Sequence, residues 1–376
     1  MRRKWIIAVI VIVAAWIFAA CGGGILDEAQ DDGYEVVAVE PTPSPVVAEP
    51  VEEVDEYEPQ GHEDYDYDVF TLSHGEHGYI AVSYIEFIND NLYARVPFSY
   101  RELEAALWLV DEFLAMGYDE AYIEIQEFSK GEDGDAGQWV RHSRDTDAGQ
   151  WIMGGSEPRY YSQNVILTVP GQSERKIIVG AHYDTLPYPG ASDNASGMAL
   201  LLESAQRMLN EENYYTIVYV FFGAEEVGLV GAHVFVESLS DEQSDLIEFM
   251  VNADVLFEGP YLMYGVGRGR GVITSEFTDY VSEIALGVQE RHGVELFTRP
   301  ELVFAGSDHL PFKWAGHYVV VLFGMDKRED GSWMTRVLHS PYDDFHHINE
   351  QWPGKIGRNM RYFSIFLEDM LLSRFD

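Results

Sequence analysis

The chain reads as an α/β fold built on a central, largely parallel mixed sheet with helices on both faces. Two observations predict it, and a third says what must hold it together. Short β-branched runs alternate with amphipathic segments from about residue 100 to the end, the order that stacks helices on a sheet. The run KIIVGA at 176–181 is apolar without alternation, as in a strand covered on both sides. The single cysteine, Cys21, leaves no internal disulfide, so a chain of 376 residues must be held by its core.

Residues 1–20, MRRKWIIAVIVIVAAWIFAA, come first. Arg2, Arg3 and Lys4 precede an apolar run over 5–20, short of the ~20 residues that a membrane span needs. That plan is a secretory signal peptide. Its end, FAAC at 18–21, resembles a bacterial lipobox, with Phe18 where Leu is usual. Cleavage and lipidation at Cys21 are expected, which places the body outside the cytoplasmic membrane on a lipid anchor. Residues 21–68 then form a tether. From 22 to 68 there are 16 acidic residues, no Lys or Arg, and five prolines. Such a stretch cannot bury enough apolar surface to order itself, and it could reach about 160 Å when extended. The domain proper is expected over 69–376.

The net charge is −40, of which the domain carries −27. Phosphate backbones are bound by Lys and Arg, so this balance excludes nucleic acid as a partner. It suits cationic ligands, including metal ions and free amino groups.

Within the domain, 100–116 has helical periodicity (Leu103, Ala106, Leu107, Val110, Phe113, Leu114) and stops at Gly117. Strands are predicted at 121–128, 164–169, 176–181, 216–223, 249–256 and 317–323. Helices are predicted at 194–209, 229–239, 275–292 and 353–372. Residues 129–161, with DAGQW at 135–139 and again at 147–151, interrupt the alternation and read as an inserted loop, either a hairpin or a rim over a site. Stretches 257–271 and 297–304 are read as loops walling a pocket, with Phe257, Tyr261, Met263 and Phe297 as apolar lining.

Ligands of open α/β sheets bind beyond the carboxyl ends of the strands. There the sequence places His182 and Asp184 after the 176–181 strand, with Asp193 further along the same loop. Glu225 and Glu226 follow the 216–223 strand, Asp254 ends the next, and His339 lies in a loop beyond 317–323. Taken singly, Asp193 would be a helix N-cap and Glu225–Glu226 first-turn acids favoured by the helix dipole. Together they form a set of acids that cannot converge without a cation, since like charges in one cleft raise each other's pKa. Nitrogen and oxygen donors without thiolate suit Zn2+, with Mn2+ or Co2+ as substitutes.

The segments AHYD (181–184), GASDNASG (190–197), AEEVGLVGA (224–232), NADV (252–255), SDHLPF (307–312) and LHSPYD (338–343) resemble, in order, those of the co-catalytic di-zinc aminopeptidases. The resemblance spans roughly 100–371. It implies a zinc exopeptidase, phosphorylase/hydrolase-like fold and two Zn2+ per chain. His182 and Asp254 would hold one ion, Glu226 and His339 the other, and Asp193 would bridge them. Asp184 would accept the second ring N–H of His182, and Glu225 would be the general base for a water activated between the ions. The bond Asp193–Asn194 would be cis. Peptides with free N-termini would be the substrates. Asp308, His309 and Tyr342 are weaker candidates for substrate contact. Several relatives carry a Tyr before the last His ligand. Leu338 stands there here, which leaves the oxyanion donor to be found among Tyr342, Ser307 and His309. Two alternatives remain at this level: a glutaminyl cyclase-like transferase with one zinc, and a non-catalytic peptide-binding surface lipoprotein.

Overall fold

Parity along each strand explains why its apolar run is continuous. Ile177, Val179 and Ala181 enter one hydrophobic cluster and Ile178 the other. Ile217, Tyr219 and Phe221 alternate in the same way with Val218, Val220 and Phe222, and Val320 and Leu322 with Val319, Val321 and Phe323. Successive side chains of a strand point to opposite faces, so a strand buried on both faces has no polar positions to alternate.

The computed structural model describes residues 70–129, 140–142, 161–269, 271–272 and 275–375. The signal segment, Cys21 and the tether lie outside the described residues, as does most of the 129–161 insertion. The elements in order are α1 (Tyr79–Asn91), α2 (Tyr100–Met116), β1 (Ile123–Ser129), β2 (Val140–His142), β3 (Tyr161–Val169), β4 (Ser173–His182), α3 (Ser196–Met208), β5 (Tyr215–Phe222), α4 (Val230–Glu237) and α5 (Asp241–Asp245). There follow β6 (Ile247–Ala253), β7 (Tyr261–Arg268), β8 (Gly271–Val272), α6 (Glu276–His292), β9 (Leu296–Thr298), α7 (His309–Trp314), β10 (Tyr318–Lys327), β11 (Trp333–Met334), α8 (Phe345–Gln351) and α9 (Lys355–Leu372).

The strands form one mixed sheet in the order β2-β1-β3-β5-β4-β6-β10-β7-β8, with β11 against β10 and β9 against β7. Its centre, β5-β4-β6-β10, is parallel. β1, β2 and β3 on one side and β7 and β8 on the other are antiparallel. The α/β class and the helices on both faces are as the sequence predicts, and the parallel pairing is concentrated in the centre. One face is covered by α1, α2, α3, α6 and α9 through residues such as Ile85, Leu109, Leu201, Phe277 and Met360. The other is covered by α4 and α7, whose Phe235 and Phe312 rings lie 5.7 Å apart.

One element corrects the sequence reading and one was not read at all. Residues 257–271 are not a pocket loop: most of them form β7, paired along its length with β10. Glycine hid this strand. A Cβ at Gly267 would sit 3.0 Å from Val303, and one at Gly265 would sit 2.8 Å from the Arg299 carbonyl oxygen, so the close approach of 299–303 requires both glycines. Phe257 and Met263 are wholly buried in the core.

The second is α1, whose start carries no capping side chain of its own: Gly78 precedes it at φ 83°. The cap comes from Glu203 on α3. This buried carboxylate accepts from Gly78 N (2.7 Å), Ala81 N (2.8 Å) and Ser364 Oγ (2.7 Å), and pairs with Arg207 Nε at 3.1 Å. Helix N-termini leave amide donors unpaired and favour negative charge. Glu203→Ala strands those donors in the core and is expected to cost about 3–5 kcal/mol. Urea unfolding checks this, and a loss below about 1 kcal/mol would show that α1 is held by packing alone.

Candidate metal centre

His182 is the last residue of β4, Asp254 directly follows β6, and Glu225 and Glu226 follow β5 by a short turn. These ends lie side by side because β5, β4 and β6 are adjacent and parallel. Asp193 reaches the same place through the irregular turn 191–195. That turn begins at Gly190 (φ 64°), where a Cβ would meet the Thr185 hydroxyl at 2.4 Å. The bond Asp193–Asn194 is cis, as the resemblance implies. Asn194 ties the turn to β6 by donating to the Ala253 carbonyl (3.0 Å), and it accepts from Gly197 N (2.9 Å) at the start of α3.

Asp193 lies between two imidazoles. Its Oδ1 is 3.1 Å from His182 Nε2 and its Oδ2 is 3.0 Å from His339 Nε2. Asp254 Oδ1 is 3.3 Å from His182 Nε2, and Glu226 Oε2 is 3.6 Å from His339 Nε2. The side chains thus fall into two sets that share Asp193. One is His182, Asp193 and Asp254, and the other is Asp193, Glu226 and His339. Within each set the donor atoms lie within 4.8 Å of one another.

Several polar groups aim these side chains. Ser307 Oγ donates to Asp254 Oδ2 (2.7 Å) and accepts from Asn252 Nδ2 (2.8 Å). Its proton is therefore committed to Asp254, which removes Ser307 from the candidates for oxyanion donor. Asp184 departs from the expected role. The nearest acceptor to His182 Nδ1 is the Asp184 main-chain carbonyl at 3.0 Å, while its carboxylate is 3.8 Å away. The carboxylate instead accepts from Glu225 N (2.9 Å) and Glu226 N (3.1 Å). One residue thus orients the imidazole with its backbone and the Glu225–Glu226 turn with its side chain.

Asp343 ends the segment LHSPYD. It is buried and accepts from Ser192 N (2.6 Å) and Asp193 N (2.9 Å), which fastens the His339 loop to the Asp193 turn. Its position in LHSPYD was the one signal available. Glu258, also unforeseen, accepts from Arg336 N and from Val337 N (2.7 Å) at the entry to the same loop. Left-handed backbone at non-glycine residues gathers here, at Ala224 (φ 55°), Val255 (φ 52°) and His339 (φ 55°). Such conformations are uncommon and concentrate where surrounding structure fixes a functional geometry.

The weaker candidates separate. Asp308 is fully buried and neither carboxylate oxygen has a hydrogen-bond partner among the described residues. Burial raises its pKa well above the usual carboxylate range. His182 opposes this, and Asp184, Asp254 and Glu226 add to it. His309 is pushed down to about 3 by burial, and the groups acting on it are the Val303 backbone and Lys313 rather than the ligand set. Tyr342 packs 5.0 Å from the His347 ring.

The electrostatics suit positive charge. Burial opposes protonation of His182, yet Glu225, Asp193 and Asp254 hold its pKa well above the ordinary value. The hydrogen bond to Asp193 lifts His339 to about 9. Burial alone would raise Asp193, but His182 and His339 overcome it and hold this carboxyl well below the usual range. Burial pushes Glu226 up to about 8, with Asp193 adding to it. Among the described residues, buried Asp254 Oδ1 and Glu226 Oε1 have no hydrogen-bond partner. Orphaned acceptors beside two imidazoles, all nitrogen and oxygen donors, fit zinc.

Residues 164–364 match the family model described as Peptidase family M28. The chain belongs to this family. It is 30% identical over 180 residues to aminopeptidase YwaD of Bacillus subtilis, which covers 46% of this chain and 37% of that protein. It is 38% identical over 104 residues to the probable lipoprotein aminopeptidase LpqL of Mycobacterium tuberculosis, 27% of this chain and 21% of that one. The matches thus span well under two thirds of either relative. Among solved structures, BSAP, a zinc aminopeptidase from Bacillus subtilis, superposes with a TM-score of 0.61 at 17% identity over 80% of this chain and 96% of its own. An Acidobacteriales bacterium glutaminyl cyclase superposes with a TM-score of 0.57 at 16% identity, over 80% and 97%. Both share the fold of this M28 chain.

Proposed function

We propose that this M28 chain is a zinc aminopeptidase that removes N-terminal residues from peptides outside the cytoplasmic membrane. The observation that carries the reading is the pair of three-residue donor sets sharing Asp193, with Glu225 beside them. His182 and Asp254 would hold one zinc, Glu226 and His339 the other, and Asp193 both. When bound, the two ions lower the pKa of a water towards ~7 and polarise a carbonyl.

The chain's own residues do the rest. The Asp184 carboxylate fixes the backbone of Glu225 and Glu226. Burial raises the Glu225 pKa well above the usual range, His182 pulls it back, and Asp308, Asp254 and Glu226 push it further up. A carboxylate so placed can keep a proton between two steps. Glu225 accepts a proton as water attacks the scissile carbonyl, and returns it to the amine as the C–N bond breaks. Asp308, buried with both carboxylate oxygens unpartnered among the described residues, stays a candidate for contact with a cationic N-terminus. Asp184 and Glu225 are thus assigned beside the five ligands. His309 and Tyr342 stay candidates for substrate contact.

For localisation, the proposed order is a signal peptide over 1–20, lipid on Cys21 and an acidic tether to residue 68. The similarity to LpqL, named a probable lipoprotein aminopeptidase, supports it. No described helix is long and apolar enough to cross a membrane.

The test is hydrolysis of a panel of aminoacyl chromogenic amides with zinc counted per chain. Two ions and cleavage are expected. Chelation should abolish cleavage and added Zn2+ restore it, because the ligand atoms have no substitute for the ion. A one-zinc chain that releases pyroglutamyl peptide from an N-terminal glutamine would instead make it a glutaminyl cyclase. The donor set His182, Asp193 and Asp254 favours two ions over one. A folded chain without zinc or cleavage would make it a binding protein.

A further inference from the structure

Two charged side chains, one between α1 and α2 and one in the first turn of α2, are wholly buried, and the chemistry above uses neither. They are Arg95 and Glu102. All four side-chain hydrogen bonds of Arg95 end on main-chain carbonyls. Nε donates to Tyr183 O (2.6 Å), Nη1 to Leu92 O (2.9 Å) and Pro189 O (3.2 Å), and Nη2 to Gly190 O (3.3 Å). Its backbone adds to the grip: Thr185 N donates to Arg95 O (3.1 Å), and Ala94 N donates to Tyr188 O (3.0 Å). The segment held runs from Tyr183 to Gly190, which joins His182 to the Asp193 turn.

Glu102 holds the other ligand-bearing turn. Its Oε1 accepts from Ala224 N (3.0 Å) and Ser162 Oγ (2.6 Å), and its Oε2 from Phe98 N (2.6 Å). Ala224, Glu225 and Glu226 are consecutive. The first amide ends on Glu102 and the next two on Asp184. All three amides of 224–226 are therefore fixed by a buried carboxylate.

We propose that Arg95 and Glu102 are positioning residues of the metal centre: Arg95 sets the 183–190 loop so that His182 and Asp193 converge, and Glu102 sets the turn that presents Glu225 and Glu226. The inference rests on the metallopeptidase reading. Both residues lie before 164–364, so an essential part of the scaffold lies outside the family match. Arg95 is suited to this work because a guanidinium presents five donors in a rigid fork, which one ammonium cannot reproduce. Burial pushes it down to about 10, and the Asp184, Asp343, Asp193 and Glu226 carboxylates oppose the fall, so it stays charged at neutral pH.

The test uses the full chain as wild type, Arg95→Met, Arg95→Lys and Glu102→Gln. Each is titrated with Co2+, whose visible absorption reports coordination, and each is assayed on an aminoacyl amide with zinc. Groups that orient ligands typically govern metal affinity or activity by about 10–100-fold. Arg95→Met is expected to lose that much in Co2+ affinity, to change the absorption band, and to lower kcat with KM within about twofold. Arg95→Lys should recover only part of the loss, since it restores charge and not the fork. Glu102→Gln should lower kcat about tenfold and shift the band. Should Arg95→Met fail to fold, the other two variants carry the test. Folded variants matching wild type in affinity, band and kcat overturn the proposal, even if they melt earlier, as does full recovery in Arg95→Lys. A wild type that takes up no metal overturns the metallopeptidase reading itself.

Discussion

Glu225→Ala is expected to lower kcat by about 10²–10⁴ while leaving both zinc ions bound, the range that a positioned general base contributes. At 1.36 kcal/mol per decade this is about 3–5 kcal/mol of transition-state stabilisation. The separation of activity from metal content follows from the geometry. Glu225 belongs to neither donor set, and its neighbour Glu226 reaches His339 at 3.6 Å. The main-chain amide of Glu225 still meets Asp184 after the substitution, so the turn keeps its shape. Zinc content by atomic emission and steady-state kinetics on one preparation check it. A variant that loses metal together with activity would make Glu225 a ligand or a structural group, and a variant with normal kcat would remove it from the chemistry.

Asp193→Ala is expected to lose both ions, where His339→Ala should lose one. The reason is the division of labour within one carboxylate, with Oδ1 turned to His182 and Oδ2 to His339. Removing it leaves each donor set one ligand short and withdraws the negative charge between two cations. Activity should fall below detection in Asp193→Ala, and excess Zn2+ should not restore it. Zinc counts after gel filtration distinguish the cases. One ion retained by Asp193→Ala would mean that the sets do not share this residue. The Asp193 main chain is held by Asp343 through the backbone amides, so the loop should survive the change.

The residues of the two donor sets were legible as candidates in the sequence because their chemistry is local. His182, Glu225–Glu226 and Asp254 sit at or close to the end of a predicted strand, Asp193 lies in the loop that follows His182, and an open sheet gathers such ends at one edge. The roles of the groups that aim them were not. Asp184 was expected to meet the His182 ring through its carboxylate, yet its carbonyl does so and the carboxylate serves the 225–226 turn. Ser307, a candidate oxyanion donor from its motif, spends its proton on Asp254. A motif fixes which atoms are near, while backbone direction fixes which of them bond.

The sequence by itself determined the α/β class, the central strands and the residues that converge at their ends. Continuous β-branched runs and the 3.6-residue period of 100–116 are properties of short stretches, independent of distant partners. Only the tertiary structure decided the start of α1, the strand β7, and the burial of Arg95 and Glu102. The cap of α1 is Glu203, 125 residues beyond Gly78. The glycines that mask β7 are required by the 299–303 segment packed on them. Arg95 and Glu102 look like surface charges until the 183–190 loop and the 224–226 turn fold over them. A buried charge is tolerated only where several polar groups converge on it, and that convergence is set by contacts between segments far apart in the chain.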